Sequence, residues 1–210
     1  MSNDNPTIPP SIIDYVKNPG VRTAVDTLVF RSERSTPDDI EWKELRSYHQ
    51  AVLSAYKVRC DYALFLMDIW DSVWDPLIRH APALKRDQVS NMPEYWKPGP
   101  KQIWDDSFVV LHRIPDRTNK PQKFFTAVWW SEEDGLVSTA STLTNDDKVD
   151  ARFKDHFLNA SIDSYEHDEN WCCSRIEDLS SHIDYSTNTV DISDFKRDAK
   201  RIIGYFSATL

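Results

Sequence analysis

The sequence predicts an α+β fold in which a region built on one long helix packs on a small antiparallel sheet, closed by a C-terminal helix. Three observations carry that expectation. No proline or glycine interrupts residues 38 to 75, which hold an apolar stripe at steps of three and four. Between Phe108 and Leu143 the period shortens, and two apolar segments flank a turn ending in Gly135. From Ser193 onward a helical stripe returns through Phe195, Ala199, Ile202, Ile203 and Phe206.

Residues 1 to 10 are polar, with Pro6, Pro9 and Pro10, and are expected to form a flexible arm. A helical stretch opens at Ser11 and breaks near Pro19-Gly20, after which Val21, Val25, Leu28 and Val29 share one face. Thr36 then offers an N-cap, Pro37 suits the first helical position, and Asp38 and Asp39 complement the helix dipole. The expected stripe runs through Leu45, Tyr48, Val52, Tyr56, Cys60, Ala63, Met67, Trp70, Trp74 and Leu77, with Pro76 at its end. An unbroken helix of that span would be roughly 60 Å long. A compact chain of this size has a diameter on the order of 45 Å, so the helix must break, curve or project. Its stripe needs a partner helix, either the Ser11–Arg34 region or a second copy meeting at Leu45, Val52 and Tyr56. A homodimer through this helix is therefore one expected partnership.

The prolines and aromatics from His80 to Gly99 mark a seam. The expected organisation is a helical subdomain over residues 11 to 98 and a mixed subdomain over 99 to 210, sharing one core. Strands are expected over Phe108–Ile114, Phe124–Trp130, Leu136–Leu143, Trp171–Ile176 and Thr189–Ile192. Asn145 is positioned to cap a short helix reaching Phe157, and Ser193 the last one.

The chain has 210 residues, 40% hydrophobic and 28% charged, so it can build a core of ordinary size and is neither disordered nor collagen-like. Its longest apolar run, Phe124–Trp130 with Thr126 allowed, falls far short of the roughly 20 residues that span a bilayer. Residues 1 to 7 carry no positive charge and lead into no apolar segment of signal-peptide length. Cys60, Cys172 and Cys173 cannot all pair. The expected compartment is the cytoplasm, with no membrane association. Four glycines are too few for a phosphate-cradling loop.

Chemistry-bearing clusters are incomplete. His156, His167, Cys172, Cys173 and His182 lack the paired spacing of a structural zinc site, and adjacent cysteines on a strand point to opposite faces. Asp61, Asp68, Asp71 and Asp75 share one sector of the long helix, but Lys57 and Arg79 are spaced to pair with the first and last, as on a solvated face. The run Glu166-His167-Asp168-Glu169 surrounds an imidazole with carboxylates and so favours its protonated form. Asp105 and Asp106 precede a strand as a nuclease acid would. The next strand reads Gln122-Lys123-Phe124-Phe125 and supplies no acid-spacer-lysine triplet. No serine sits in a Gly-X-Ser-X-Gly elbow. No catalytic residue, metal ligand or cofactor is nominated. The alternative function is a metal-dependent hydrolase or nuclease using Asp105, Asp106, Glu166 and His167.

The stronger signal is charge combined with aromatic content. Net charge is −9, and residues 132 to 169 hold eleven carboxylates against Lys148, Arg152 and Lys154. Such a surface repels nucleic acid and anionic membrane and favours a basic protein. Of the eight tryptophans, the adjacent Trp129 and Trp130 must face opposite sides of their strand, so one could anchor a partner within the acidic field. A sheet covered on both faces would instead bury both rings. The expected binding residues are Trp129, Trp130, Glu132, Glu133, Asp134, Glu166, Asp168 and Glu169. The expected role is a protein-interaction module, including the specific form of an inhibitor or immunity-type partner of a basic nucleic-acid-acting protein.

Overall fold

The computed structural model describes residues 5–32, 40–81, 107–114, 122–131, 135–143, 166–168 and 171–209. The expected cap at Thr36, the seam after His80 and the short helix from Asn145 to Phe157 lie outside those residues.

Helix α1 spans Pro10–Lys17 and α2 spans Pro19–Ser32. The break falls where the sequence places it. Asn18 is extended, as the residue before a proline prefers. Its Oδ1 accepts the backbone N–H groups of Gly20 at 2.9 Å and Val21 at 3.3 Å, satisfying donors at the start of α2.

Helix α3 spans Leu45–Val73 and is followed at Trp74 by the short α4, Asp75–His80. The long helix is therefore shorter than expected, entered through a turn over residues 42–44, and Pro76 opens α4 rather than ending the helical path. Its partner is within the chain, since α1 and α2 both pack on it. Of the expected stripe, Val52, Ala63, Trp70 and Trp74 are buried and Tyr56, Cys60 and Met67 half-buried. The buried face is wider than the stripe, because the adjoining row Ala55, Arg59, Tyr62, Leu66, Ile69 and Val73 is buried too. Steps of three and four repeat along that row as in a heptad, with Arg59 near its start. A stripe chosen by apolar type alone passes over that arginine.

Strands β1 (Ser107–Ile114), β2 (Gln122–Ser131), β3 (Gly135–Leu143), β4 (Glu166–Asp168) and β5 (Trp171–Ile176) form one sheet in the order β1-β2-β3-β5-β4. Every pairing is antiparallel. The β2–β3 hairpin closes with Ser131 opposite Gly135, whose φ of 71° is the left-handed conformation that favours glycine. Helix α3 packs on β1 and β2. Trp70 donates its indole N–H to Thr126 Oγ1 at 2.8 Å and Trp74 donates to Ser138 Oγ at 3.1 Å, which explains polar residues on the buried face of the sheet. Phe124, Val128, Leu136, Ala140 and Ile176 join the same core. The opposite face is buried as well, at Phe125, Ala127, Val137, Thr139 and Ser141.

The chain closes with α5, Ser193–Thr209, which packs on β3, β5, α3 and α4. Phe195, Ala199, Ile202 and Ile203 are buried as expected. Asp198 on the same face is fully buried; its Oδ2 accepts Ser174 Oγ–H at 3.0 Å, and Arg197 Nε lies 3.2 Å from Oδ1.

Before α5, a 3-10 turn at Leu179–His182 leads into a two-stranded ladder, β6 (Ile183–Asp184) with β7 (Thr189–Val190). The flexible arm expected over residues 1 to 10 is docked here from Pro6 onward. Ile8 N–H donates to Asn188 O at 2.7 Å, Val190 N–H donates to Pro6 O at 3.1 Å, and the Ile8 side chain enters the core. Prolines at 6 and 9 suit an extended edge segment that needs few donors of its own, and Pro10 suits the first position of α1. Among the described residues, no helix is long and apolar enough to cross a membrane.

Candidate interaction surface

Of the eight expected binding residues, the sheet positions four. Register aligns Trp129 with Val137 and Arg175, and Glu166 with Cys173, Thr139 and Ala127. Glu166, Asp168 and Trp129 therefore belong to one face of the sheet, and Trp130 belongs to the other. Three strand spacings, roughly 14 Å, separate β2 from β4. Glu166 and Asp168 occupy the edge strand, where charge discourages pairing with another chain. Glu132, Glu133, Asp134 and Glu169 lie outside the described residues, as do Asp105, Asp106 and His156.

Neither tryptophan projects from the surface. Trp129 is half-buried on the face that also buries Phe125 and Ala127. Trp130, half-buried on the α3 face, is covered by Arg22, whose guanidinium carbon lies 3.3 Å from its ring centroid.

The exposed large apolar side chains are elsewhere. Trp42 is 88% exposed, between the exposed Glu41 and Glu44 in the turn that enters α3. Leu53 is 70% and Leu64 56% exposed on α3 itself. Eleven residues are close to three helical turns, so the two leucines share one outward row about 16 Å apart. Asp71 continues that row and Asp68 borders it. Partial burial, and secondarily the charge of Asp71, raises the Asp68 pKa. Asp61 and Asp75 are paired within the chain. Asp61 Oδ2 lies 2.5 Å from both Lys57 Nζ and Ser11 Oγ, bonds that lower its pKa, and Asp75 pairs with Arg79 at 2.6 Å. Both helical ion pairs are those the spacing predicts.

A second cluster lies under α2. Arg22 and Arg59 are buried, at 8% and 1% exposure, beside Tyr15, Tyr62 and Trp130. Arg59 Nη1 donates to Tyr15 Oη, which in turn donates to Asp26 Oδ1 at 3.0 Å; Asp26 Oδ1 is 3.6 Å from Arg59 Nη1. Burial pushes the Tyr15 hydroxyl up to about 12, against the opposing pull of Arg59. Sequence reading by apolar periodicity misses both arginines. The available signal is positional: Arg22 precedes Val25 and Val29 at helical spacing, and Arg59 falls between Ala55 and Tyr62.

Among the described residues, no three His, Cys, Asp or Glu side chains come together in an arrangement that could hold a metal ion. Of the residues whose spacing argues against a zinc site, His182 sits in the 3-10 turn, while Cys172 and Cys173 pair in register with Ala140 and Thr139. Comparison with protein-family models, curated proteins and solved structures finds no match to this chain.

Proposed function

We propose that this protein is an interaction module that docks a basic partner protein on the outward surface of α3 and its entry turn. The observation that carries the reading is Trp42, 88% exposed beside the Glu41–Lys43 ion pair and Glu44. An exposed indole supplies an anchor for binding energy, and the acidic chain as a whole supplies electrostatic steering. Leu53 and Leu64 extend the apolar contact along the helix, and the exposed Asp68 offers charge to lysine or arginine at its far end. The net charge of −9 favours the same class of partner over nucleic acid or anionic lipid. The specific form favoured by this charge pattern is an inhibitor or immunity-type partner of a basic nucleic-acid-acting protein, in the cytoplasm. Such a protein already carries a surface rich in lysine and arginine.

The test is capture from native lysate at about 100 mM and about 500 mM salt, where screening shortens from roughly 10 Å to a few ångströms. Wild type and the Trp42→Ala and Leu64→Lys variants are compared. A stoichiometric basic protein held at low salt, released at high salt and lost by the variants supports the reading. A complex insensitive to salt, one retained by both variants, or no partner at all refutes it. Self-association through α3, read from solution mass at micromolar concentration, would assign this face to a homodimer instead.

A further inference from the structure

We propose that the buried edge of Arg22 is a receptor for a carboxylate, a site distinct from the α3 surface and independent of it. Arg22 is more than nine-tenths buried, with its guanidinium carbon 3.3 Å from the Trp130 ring centroid, 4.9 Å from that of Tyr15 and 5.9 Å from that of Tyr62. Its Nε and Nη2 are buried, and neither has a hydrogen-bond partner among the described residues. These two nitrogens form one edge of the guanidinium. Their N–H bonds run parallel in the plane, the side-on fork that donates to both oxygens of a carboxylate.

Charge gives the same answer as geometry. Two guanidinium groups are buried here, and the nearby carboxylate, Asp26, is engaged with Tyr15 and Arg59. Asp26 follows Arg22 by one helical turn, yet forms no ion pair with it within 4.0 Å. The aromatic faces stabilise a cation but offer no acceptor in the plane of its N–H groups. A buried cation with two idle donors on one edge is costly to maintain, and an anion supplied from solution removes that cost.

The rings select among anions. A carboxylate lies flat in the guanidinium plane, alongside the Trp130 face. A phosphoryl group placed on the same fork projects further oxygens out of that plane, towards the negative faces of the rings. Trp130, whose ring covers Arg22, is half-buried.

The experiment uses acetate and succinate as carboxylate probes and inorganic phosphate and chloride as comparisons, at a constant ionic strength of about 0.15 M. Binding is followed by calorimetry and by thermal midpoint. The expected result is saturable one-to-one binding of a carboxylate that raises the midpoint, with phosphate and chloride weaker. Arg22→Lys keeps the charge and loses the fork, and is expected to bind about tenfold more weakly. Arg22→Met removes a buried charge and so is expected to fold at least as well, with the carboxylate response lost. No saturable carboxylate binding to wild type, stronger binding of phosphate, or a response retained in folded Arg22→Met overturns the proposal.

Discussion

Replacing Gly135 with alanine should destabilise the protein by about 3 kcal/mol, and the structure gives the components. At φ 71° a residue with a Cβ costs about 1–2 kcal/mol. The added Cβ would lie 2.3 Å from Ile176 O and 2.8 Å from Glu177 Cα. Both are backbone atoms, so no side chain can swing away, and the end of β5 must retreat by more than an ångström. That retreat pulls apart the Leu136–Ile176 pair, where a lost hydrogen bond is worth about 1 kcal/mol. At 2–4 °C per kcal/mol for a chain of this size, the midpoint should fall by roughly 6–12 °C. Gly204→Ala is the internal control. It lies inside α5 with nothing within 4 Å of its Cβ position, so alanine should stabilise by about 0.5–1 kcal/mol. Urea unfolding followed by far-ultraviolet circular dichroism measures both. A Gly135→Ala variant within about 0.5 kcal/mol of wild type, the range of an ordinary surface substitution, would refute the hairpin geometry.

Ser138→Ala removes the acceptor of the buried Trp74 indole N–H and should cost about 1–3 kcal/mol in chemical denaturation, with Ser138→Thr recovering part of the loss. Tyr15 should ionise near pH 12 rather than 10.0, visible as one late tyrosine in ultraviolet titration. Because its folded pKa is the higher, the stability linked to this group is fully present below pH 10 and is lost as pH rises towards 12; a single tyrosine wave near 10 would contradict its burial. Asp61, held below the usual carboxylate range by Lys57 and Ser11, contributes stability that is present above that range and fades as pH falls. Asp61→Asn should therefore cost about 1 kcal/mol at neutral pH and flatten the acid limb of the stability profile, measured by urea midpoints across pH.

What the sequence makes legible is governed by local rules. The Pro19 break, the β2–β3 hairpin, strand β5 and the buried face of α5 follow from proline chemistry, a left-handed glycine and apolar period, each readable within a dozen residues. The Arg59 row of α3 is not readable that way. Arg59 occupies a core position because Tyr15 and Asp26, more than thirty residues earlier, reach it. Arg22 is likewise buried by Trp130, a residue over a hundred positions later. Apolar pattern cannot register a buried charge whose stabilising groups are distant in sequence. The candidate site divides similarly. Composition shows an acidic chain with many tryptophans, but which indole reaches solvent depends on packing. Trp130 lies under Arg22, whereas Trp42 stands clear.

The docking of Pro6–Ile8 against Asn188–Val190 sets a timetable for synthesis. Pro6 and Ile8 leave the ribosome about 180 residues before the ladder they join is made. Ile8 has no place in the core until residue 190 is available, so α1 must wait beside α2 and α3 with an apolar edge uncovered. Contacts so distant along the chain form slowly, because the intervening loop must close before they contribute. Completion of the core therefore waits until residue 190 has emerged, and the nascent helical half is until then the natural client of whatever shields exposed apolar surface in the cell.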